Sequence, residues 1–68
     1  MKKDYATALL ELRAFLDISQ TELAKILKVS FQSVNRWENN HTIPVKITRI
    51  RIEKMCKEYN IEIGEVVE

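Results

Sequence analysis

The stretch that decides the fold is SQTELAKILKVSFQSVNRWEN, residues 19–39. Ser19 followed three residues later by Glu22 is a capping-box pattern, which predicts a helix over about 20–27. The apolar residues of this helix recur at helical spacing and form one stripe, made of Leu23, Ala24 and Leu27. A short helix with one buried stripe therefore opens the stretch.

A tight turn and a second short helix follow. Val29 lies in the turn and is expected to point inward, and Ser30 can cap a helix over about Phe31–Glu38. With about 100° of rotation per residue, Val34 and Trp37 fall on one side and predict the core contact. The opposite side carries polar side chains, Gln32, Asn35 and Arg36, with Phe31 and Ser33 at its borders.

Two further helices flank this pair. Asp4 can cap a first helix over residues 5–16, whose leucines recur at helical spacing. Residues 39–44 form a loop because Pro44 cannot continue a helix. A fourth helix is expected to begin near Val45 to Thr48 and to run to about Tyr59. We therefore expect a domain over 1–60, followed by a frayed or extended tail over 61–68.

Composition limits the class of protein. The chain has 68 residues, 46% of them hydrophobic and 31% charged, with one Gly and one Pro, which suits one small helical domain. Cys56 is the only cysteine, so neither an internal disulfide nor a cysteine-based metal site can form. No apolar run has the length of a signal-peptide core or a membrane span. A reduced, cytoplasmic compartment fits best.

Charge is unevenly distributed. Residues 20–51 hold six cationic side chains against two glutamates, whereas residues 52–68 hold two lysines against five glutamates. A basic middle is a weak indication of a polyanionic partner, and scattered solvated charges are the alternative. The polar side of the third helix is compatible with such a partner. Glutamine and asparagine can bond to adenine and arginine to guanine in the major groove, although an ordinary polar helix surface looks the same.

Residues 19–39 resemble the helix-turn-helix of the phage Cro/C1 repressor family, also called the xenobiotic-response-element family. LRAFLDIS (12–19) resembles the family's first helix, and IPVKITRIRIEKMCKEYNI (43–61) resembles its fourth. The motif pattern is matched at Gln20, Leu23, Ala24, Leu27, Val29, Ser30, Val34, Trp37 and Glu38. The resemblance implies a compact, all-α, lambda-repressor-like domain of four or five helices.

The chain departs from the family pattern at its glycines. Asp17, Lys28 and Asn40 stand where relatives carry glycine, after the first three helices. Aspartate and asparagine tolerate positive φ comparatively well, whereas lysine is expected to be strained by ~1 kcal/mol. The family's fifth helix is missing or reduced to IEIGEVVE, residues 61–68.

The resemblance also implies a double-stranded DNA partner and a set of contact residues. Gln32 and Arg36 match positions that read base edges, and Phe31 matches another, with packing at the domain edge as the alternative. Gln20 matches a phosphate-contacting position that steadies the recognition helix. The remaining DNA-binding candidates are polar or basic and flank these positions: Thr21, Lys28, Ser30, Ser33, Asn35, Asn39, Asn40 and Lys46.

Two residues match a structural ion pair of the family. Arg13 and Glu38 are expected to link the first helix to the end of the third, and Trp37 is expected in the core rather than stacked on a base. Ile50 faces away from the predicted core and, with part of the tail, is a candidate homodimer surface, although one exposed isoleucine is common.

We expect sequence-specific DNA binding by a transcriptional regulator that acts as a repressor. The expected context is a prokaryotic nucleoid, a phage or a mobile element. His41 is a loop residue rather than a metal ligand, and no catalytic constellation or cofactor motif is present, so enzymatic activity is not expected. Two alternatives stay open: a protein-interaction module on a repressor-like fold, and a DNA-targeting or antitoxin domain of a larger system.

Overall fold

The computed structural model describes residues 2–66 and is built from four helices. Their bounds are Tyr5–Leu16 (α1), Gln20–Leu27 (α2), Phe31–Glu38 (α3) and Lys46–Glu58 (α4). These bounds confirm the four predicted helices, and residues 61–66 form no fifth one. No helix in the described range is long and apolar enough to cross a membrane.

Short polar side chains start the first three helices, as the sequence predicts. The Asp4 carboxylate accepts from the Thr7 N–H, and the Ser30 hydroxyl accepts from the Ser33 N–H. Ser19 and Glu22 form a complete capping box before α2. Each cap satisfies backbone donors that have no partner within the helix, so it fixes where the helix begins. Helix α4 begins after Val45 without a side-chain cap.

A non-glycine residue in the left-handed conformation follows each of the four helices within two residues. Asp17, Lys28, Asn40 and Asn60 have φ values of 54°, 60°, 60° and 59°. Beyond α1, for example, the Ile18 N–H donates to the Arg13 carbonyl at 3.1 Å, which is the long-range bond of a Schellman motif. Equivalent bonds run from Val29 to Ala24, from His41 to Arg36 and from Ile61 to Cys56.

The residue after each left-handed turn also contributes to packing. Ile18, Val29 and Ile61 are half-buried and pack against the core. An apolar side chain at this position commonly accompanies a Schellman motif. The helix ends thus direct the chain back onto the core at three corners of the fold.

The core lies where the helices meet. Trp37 is 8% exposed and Val34 is fully buried, in agreement with their predicted inward side of α3. Burial raises the pKa of the Cys56 thiol, so this cysteine stays protonated and behaves as a small apolar side chain. The fully buried side chains come from all four helices: Leu9, Leu12, Leu23, Leu27, Val34, Ile52 and Cys56.

The two ends of the described chain pair with each other. Strand β1 (Lys2–Lys3) and strand β2 (Glu65–Val66) are antiparallel, with Lys3 opposite Glu65. The Asp4 N–H also donates to the Gly64 carbonyl at 2.8 Å. The described end of the tail, Glu65–Val66, is therefore extended, one of its two expected forms, and its strand partner is Lys2–Lys3, which the sequence did not predict.

A second contact holds this end of the molecule. The Tyr5 hydroxyl donates to the Glu53 carboxylate of α4, and the Lys3 ammonium lies 3.2 Å from the same oxygen. Burial, together with the bond to Glu53, raises the pKa of Tyr5 to about 12. The hydrogen bond from Tyr5 lowers the pKa of Glu53, and the nearby Lys3 ammonium lowers it further. The pair thus joins a neutral phenol to an ionised carboxylate between α1 and α4.

Replacing Lys28 with glycine is expected to stabilise the fold. Glycine has no Cβ and adopts the φ of 60° without steric cost, so Lys28→Gly should raise the free energy of unfolding by ~1 kcal/mol, measured by urea denaturation. Lys25→Gly is the matched control. Lys25 lies exposed inside α2, where glycine should lower stability by ~1 kcal/mol. Equal losses at the two positions would contradict the strain at Lys28.

The Tyr5–Glu53 contact predicts a loss of stability at high pH. The unfolded tyrosine releases its proton near its ordinary pKa of 10, whereas the folded one retains its proton to about 12. The free energy of unfolding should therefore fall through this window, by about 2 kcal/mol. Lysines also titrate there, so the measured quantity is the difference between the wild type and Tyr5→Phe. Parallel pH profiles of the two proteins would contradict the prediction.

Candidate nucleic-acid interface

Helix α3 has one side anchored in the core and one side free. Val34 and Trp37 hold it against α1 and α2, and Gln32 and Arg36 are exposed on the side away from these anchors. Phe31, at the first position of the helix, is 45% exposed, so it lies at the rim as the sequence suggests. The exposed side therefore presents an amide, a guanidinium and an aromatic ring within two turns.

The two serines at the start of α3 are bonded to each other. The Ser30 and Ser33 hydroxyl oxygens are 2.9 Å apart, and the Ser33 N–H donates to the Ser30 hydroxyl at 3.1 Å. Ser30 is exposed and Ser33 is half-buried. Both hydroxyls thus contribute to the cap, and the exposed one lies at the helix N-terminus, where backbone dipoles favour an anion.

Asn35 differs from the expected position. The sequence groups it with Gln32 and Arg36 on one outward side, but it is half-buried, and its amide donates to the Gln20 side-chain oxygen at 3.3 Å. The reason is that α3 packs against both α1 and α2. The buried part of its surface is therefore wider than a helical wheel with a single core direction predicts. Asn35 lies at the border of the exposed side.

The Glu38 carboxylate is the centre of a polar network. Its side chain is only 4% exposed, and it accepts from Arg13 Nε at 2.8 Å and from Arg13 Nη2 at 2.9 Å. Gln20 Nε2 donates to the same carboxylate at 2.8 Å. This bidentate pair raises the pKa of the Arg13 guanidinium. Through Glu38 the ends of α1, α2 and α3 are fixed to one another.

The network continues toward the loop that follows α3. Gln20 accepts from Asn35, and the Asn39 amide donates to the Asn35 carbonyl at 2.8 Å and to its side-chain oxygen at 3.4 Å. Gln20, Asn35 and Asn39, three of the predicted contact residues, are thus connected by hydrogen bonds. Their side chains are held in place before any ligand arrives.

The other predicted contact residues lie at the starts of α2 and α4 and in the turns that follow α2 and α3. Lys28 ends α2 in the left-handed turn, and Asn40 occupies the corresponding position after α3. Lys46 is the first residue of α4. All the members of this set are exposed: Thr21, Lys28, Asn39, Asn40 and Lys46.

One structurally important cation was not singled out by the sequence. Arg51 reaches from α4 to the end of α2, where its Nη1 donates to the Leu27 carbonyl at 3.0 Å. Its partner is a backbone group, so no residue pattern could have indicated the contact. Among residues 2–66 no group of three His, Cys, Asp or Glu side chains could hold a metal ion.

The network predicts that Glu38 is needed for stability. Glu38→Gln keeps the shape but removes the charge and turns an amide donor toward Arg13, so the free energy of unfolding should fall by about 1–3 kcal/mol. Glu58→Gln, at an exposed carboxylate of α4, is the matched control and should change stability by less than ~0.5 kcal/mol. Urea denaturation measures both. Similar losses in the two variants would show that Glu38 acts only through net charge.

Comparison with known families agrees with this geometry. A family model described as "Helix-turn-helix" matches residues 9–66, which include α2, α3, α4 and most of α1. No curated protein and no solved structure gives a significant match. The match confirms the resemblance of residues 19–39 and their flanks. The chain belongs to the Cro/C1-type helix-turn-helix family of DNA-binding domains.

Proposed function

We propose that the chain binds double-stranded DNA sequence-specifically by inserting α3 into the major groove. The observation that carries the proposal is the exposed pair Gln32 and Arg36, opposite the buried anchors Val34 and Trp37. Glutamine matches the acceptor and donor of adenine, and arginine matches the two acceptors of guanine. Phe31 at the rim offers its ring to a thymine methyl.

The surrounding residues supply affinity and register rather than sequence choice. Lys28, which precedes α3 in the chain, and Lys46, which follows it, are exposed cations suited to DNA phosphates. Thr21, Ser30 and Asn40 offer uncharged polar groups, whereas the Asn39 amide already donates to Asn35 and orients the border of the site. Gln20, Ser33 and Asn35 then act mainly by position, because their polar groups are already bonded within the domain.

The regulatory role follows from occupancy of the DNA. A small domain seated on a promoter excludes other proteins by its volume, so repression is the simplest outcome. The family's members are typically not enzymes, and we propose no catalytic activity for this chain. We place its action in the cytoplasm, at the nucleoid, where its DNA partner lies.

Pairing of two copies is part of the proposal, with a revised surface. Ile50 is 50% exposed, and Val45 and Ile47 near it are exposed as well. Ile61 and Ile63 pack against their own core, so these two residues of the tail are poor parts of this surface, and the side chains of residues 66–68 lie outside the described part. Lys46 and Arg49 line the same groove as Ile50 and would meet their own copies in a two-fold pair. We therefore propose that pairing occurs on DNA, where phosphates offset these charges.

Arg36 is expected to determine one base position. After selection of bound duplexes from a random pool, Arg36→Ala should relax choice at that position and cost about 1–3 kcal/mol on the selected site. Its effect on unrelated duplexes should be small. A uniform loss on all sequences would contradict base reading by Arg36.

Lys46 and Lys54 provide the matched comparison. Lys46→Ala should weaken all sequences alike and reduce the log–log salt slope by about 0.9, because one phosphate contact is lost. Lys54→Ala removes the same charge from the second half of α4 and should leave the slope unchanged. A wild-type slope near zero would overturn DNA binding itself.

A further inference from the structure

A groove lies between the N-terminal end of the fold and the first half of α4. Its apolar part is formed by Ile43 and Ile50, which are 58% and 50% exposed. Its polar rim is formed by the side chains of Lys3, Lys46 and Arg49. Tyr5 and Glu53 close it on the side of α1. We name it the α4 groove.

The charge of the α4 groove is unbalanced. Its single carboxylate, Glu53, already accepts from Tyr5 and pairs with Lys3 at 3.2 Å. In the part of the chain that the structure describes, ion pairs join Lys3 to Glu53 and Arg13 to Glu38, and neither Lys46 nor Arg49 forms one. Among the described residues, two cations that form no direct ion pair thus lie beside two exposed isoleucines, and Glu53 acts on Arg49 only at longer range.

We propose that the α4 groove binds an acidic and apolar segment of a partner protein. The apolar side chains of such a segment would cover Ile43 and Ile50, and its carboxylates would pair with Lys46 and Arg49. Complementary charge at the rim and an apolar contact at the centre are the arrangement found in protein–protein interfaces. A nucleic acid satisfies only the charged half of this site, because phosphates and sugars leave the isoleucines exposed.

A second copy of this chain fits the groove less well. Symmetric pairing would bring Lys46 and Arg49 against the same cations, which costs energy where no phosphate offsets them. The acidic tail offers the right composition, but in its described part Ile61 and Ile63 pack against the core of their own copy. The occupant is therefore a different polypeptide.

Occupation of the groove would regulate DNA binding. This consequence, unlike the binding itself, rests on the proposed function, because it assigns a phosphate contact to Lys46. A carboxylate bound to Lys46 would take the place of that phosphate, and the segment would cover Ile50 as well. The partner would thus release the domain from DNA without touching α3.

The test begins with selection from a random peptide library against the immobilised domain, with counter-selection on Arg49→Glu. We expect enriched peptides that combine aspartate or glutamate with large apolar residues. Synthesised peptides are then titrated into the isotope-labelled domain without DNA, and their chemical-shift changes should centre on Ile43, Arg49 and Ile50. Failure to enrich, enrichment of basic peptides, or shifts that centre elsewhere would overturn the proposal.

Variants separate the two halves of the site. Arg49→Glu and, independently, Ile43→Ser should each weaken peptide affinity about tenfold, since charge pairing and apolar contact both contribute. Lys54→Glu is the matched charge reversal on α4 and should leave the affinity within about twofold. All three positions are at least partly exposed, and retained helical circular dichroism checks the fold. Equal losses in the two charge reversals would point to net charge, and wild-type affinity in Ile43→Ser would remove the apolar contact; either result would overturn the groove.

DNA competition is measured last and separately. The enriched peptide should displace a selected duplex from the wild type but not from Arg49→Glu. Peptide binding without displacement would retain the groove and remove only its regulatory role. Absence of DNA binding would overturn the proposed function and leave the peptide titration valid.

Discussion

The buried carboxylate of Glu38 is the interaction on which the arrangement of the helices depends. A carboxylate that is 4% exposed must be paired, because an isolated charge in such a place costs several kcal/mol. Arg13 supplies two donors and Gln20 a third, and these residues come from different helices. The pairing requirement therefore fixes α1, α2 and α3 relative to one another. In a domain of 68 residues, whose apolar core is small, one satisfied polar cluster of this kind defines a single packing.

The same cluster connects stability to recognition. Gln20 bonds to Glu38 on one side and to Asn35 on the other, so the orientation of α3 and the rotamers at its border are set together. Border side chains that are already held in place lose less conformational entropy when a partner binds. The exposed side chains of Gln32 and Arg36 keep their conformational freedom, whereas the packed part of α3 to which they are attached is fixed in place.

The sequence predicted most of the fold because its local signals agree. Asp4, Ser19 and Ser30 mark three helix starts, and Asp17, Lys28 and Asn40 take the left-handed turns where relatives have glycine. Features that depend on two distant segments were not predictable. Lys3 and Glu65 carry no pattern that pairs them, and Asn35 was misplaced because a helical wheel assumes one core direction. The α4 groove joins Tyr5 to residues some forty positions away, so only the folded chain shows it.

The pairing of β1 with β2 gives the domain a single point of attachment. Neighbouring strands lie about 4.8 Å apart, so a segment attached beside Lys2 or beside Val66, the ends of the described part, starts from nearly the same place. Lys3 belongs both to β1 and to the rim of the α4 groove. A short acidic extension fused at either end would thus meet the groove at an effective concentration of about millimolar. The domain could be converted into a self-inhibited switch through whichever of these ends is extended, without any change to α3.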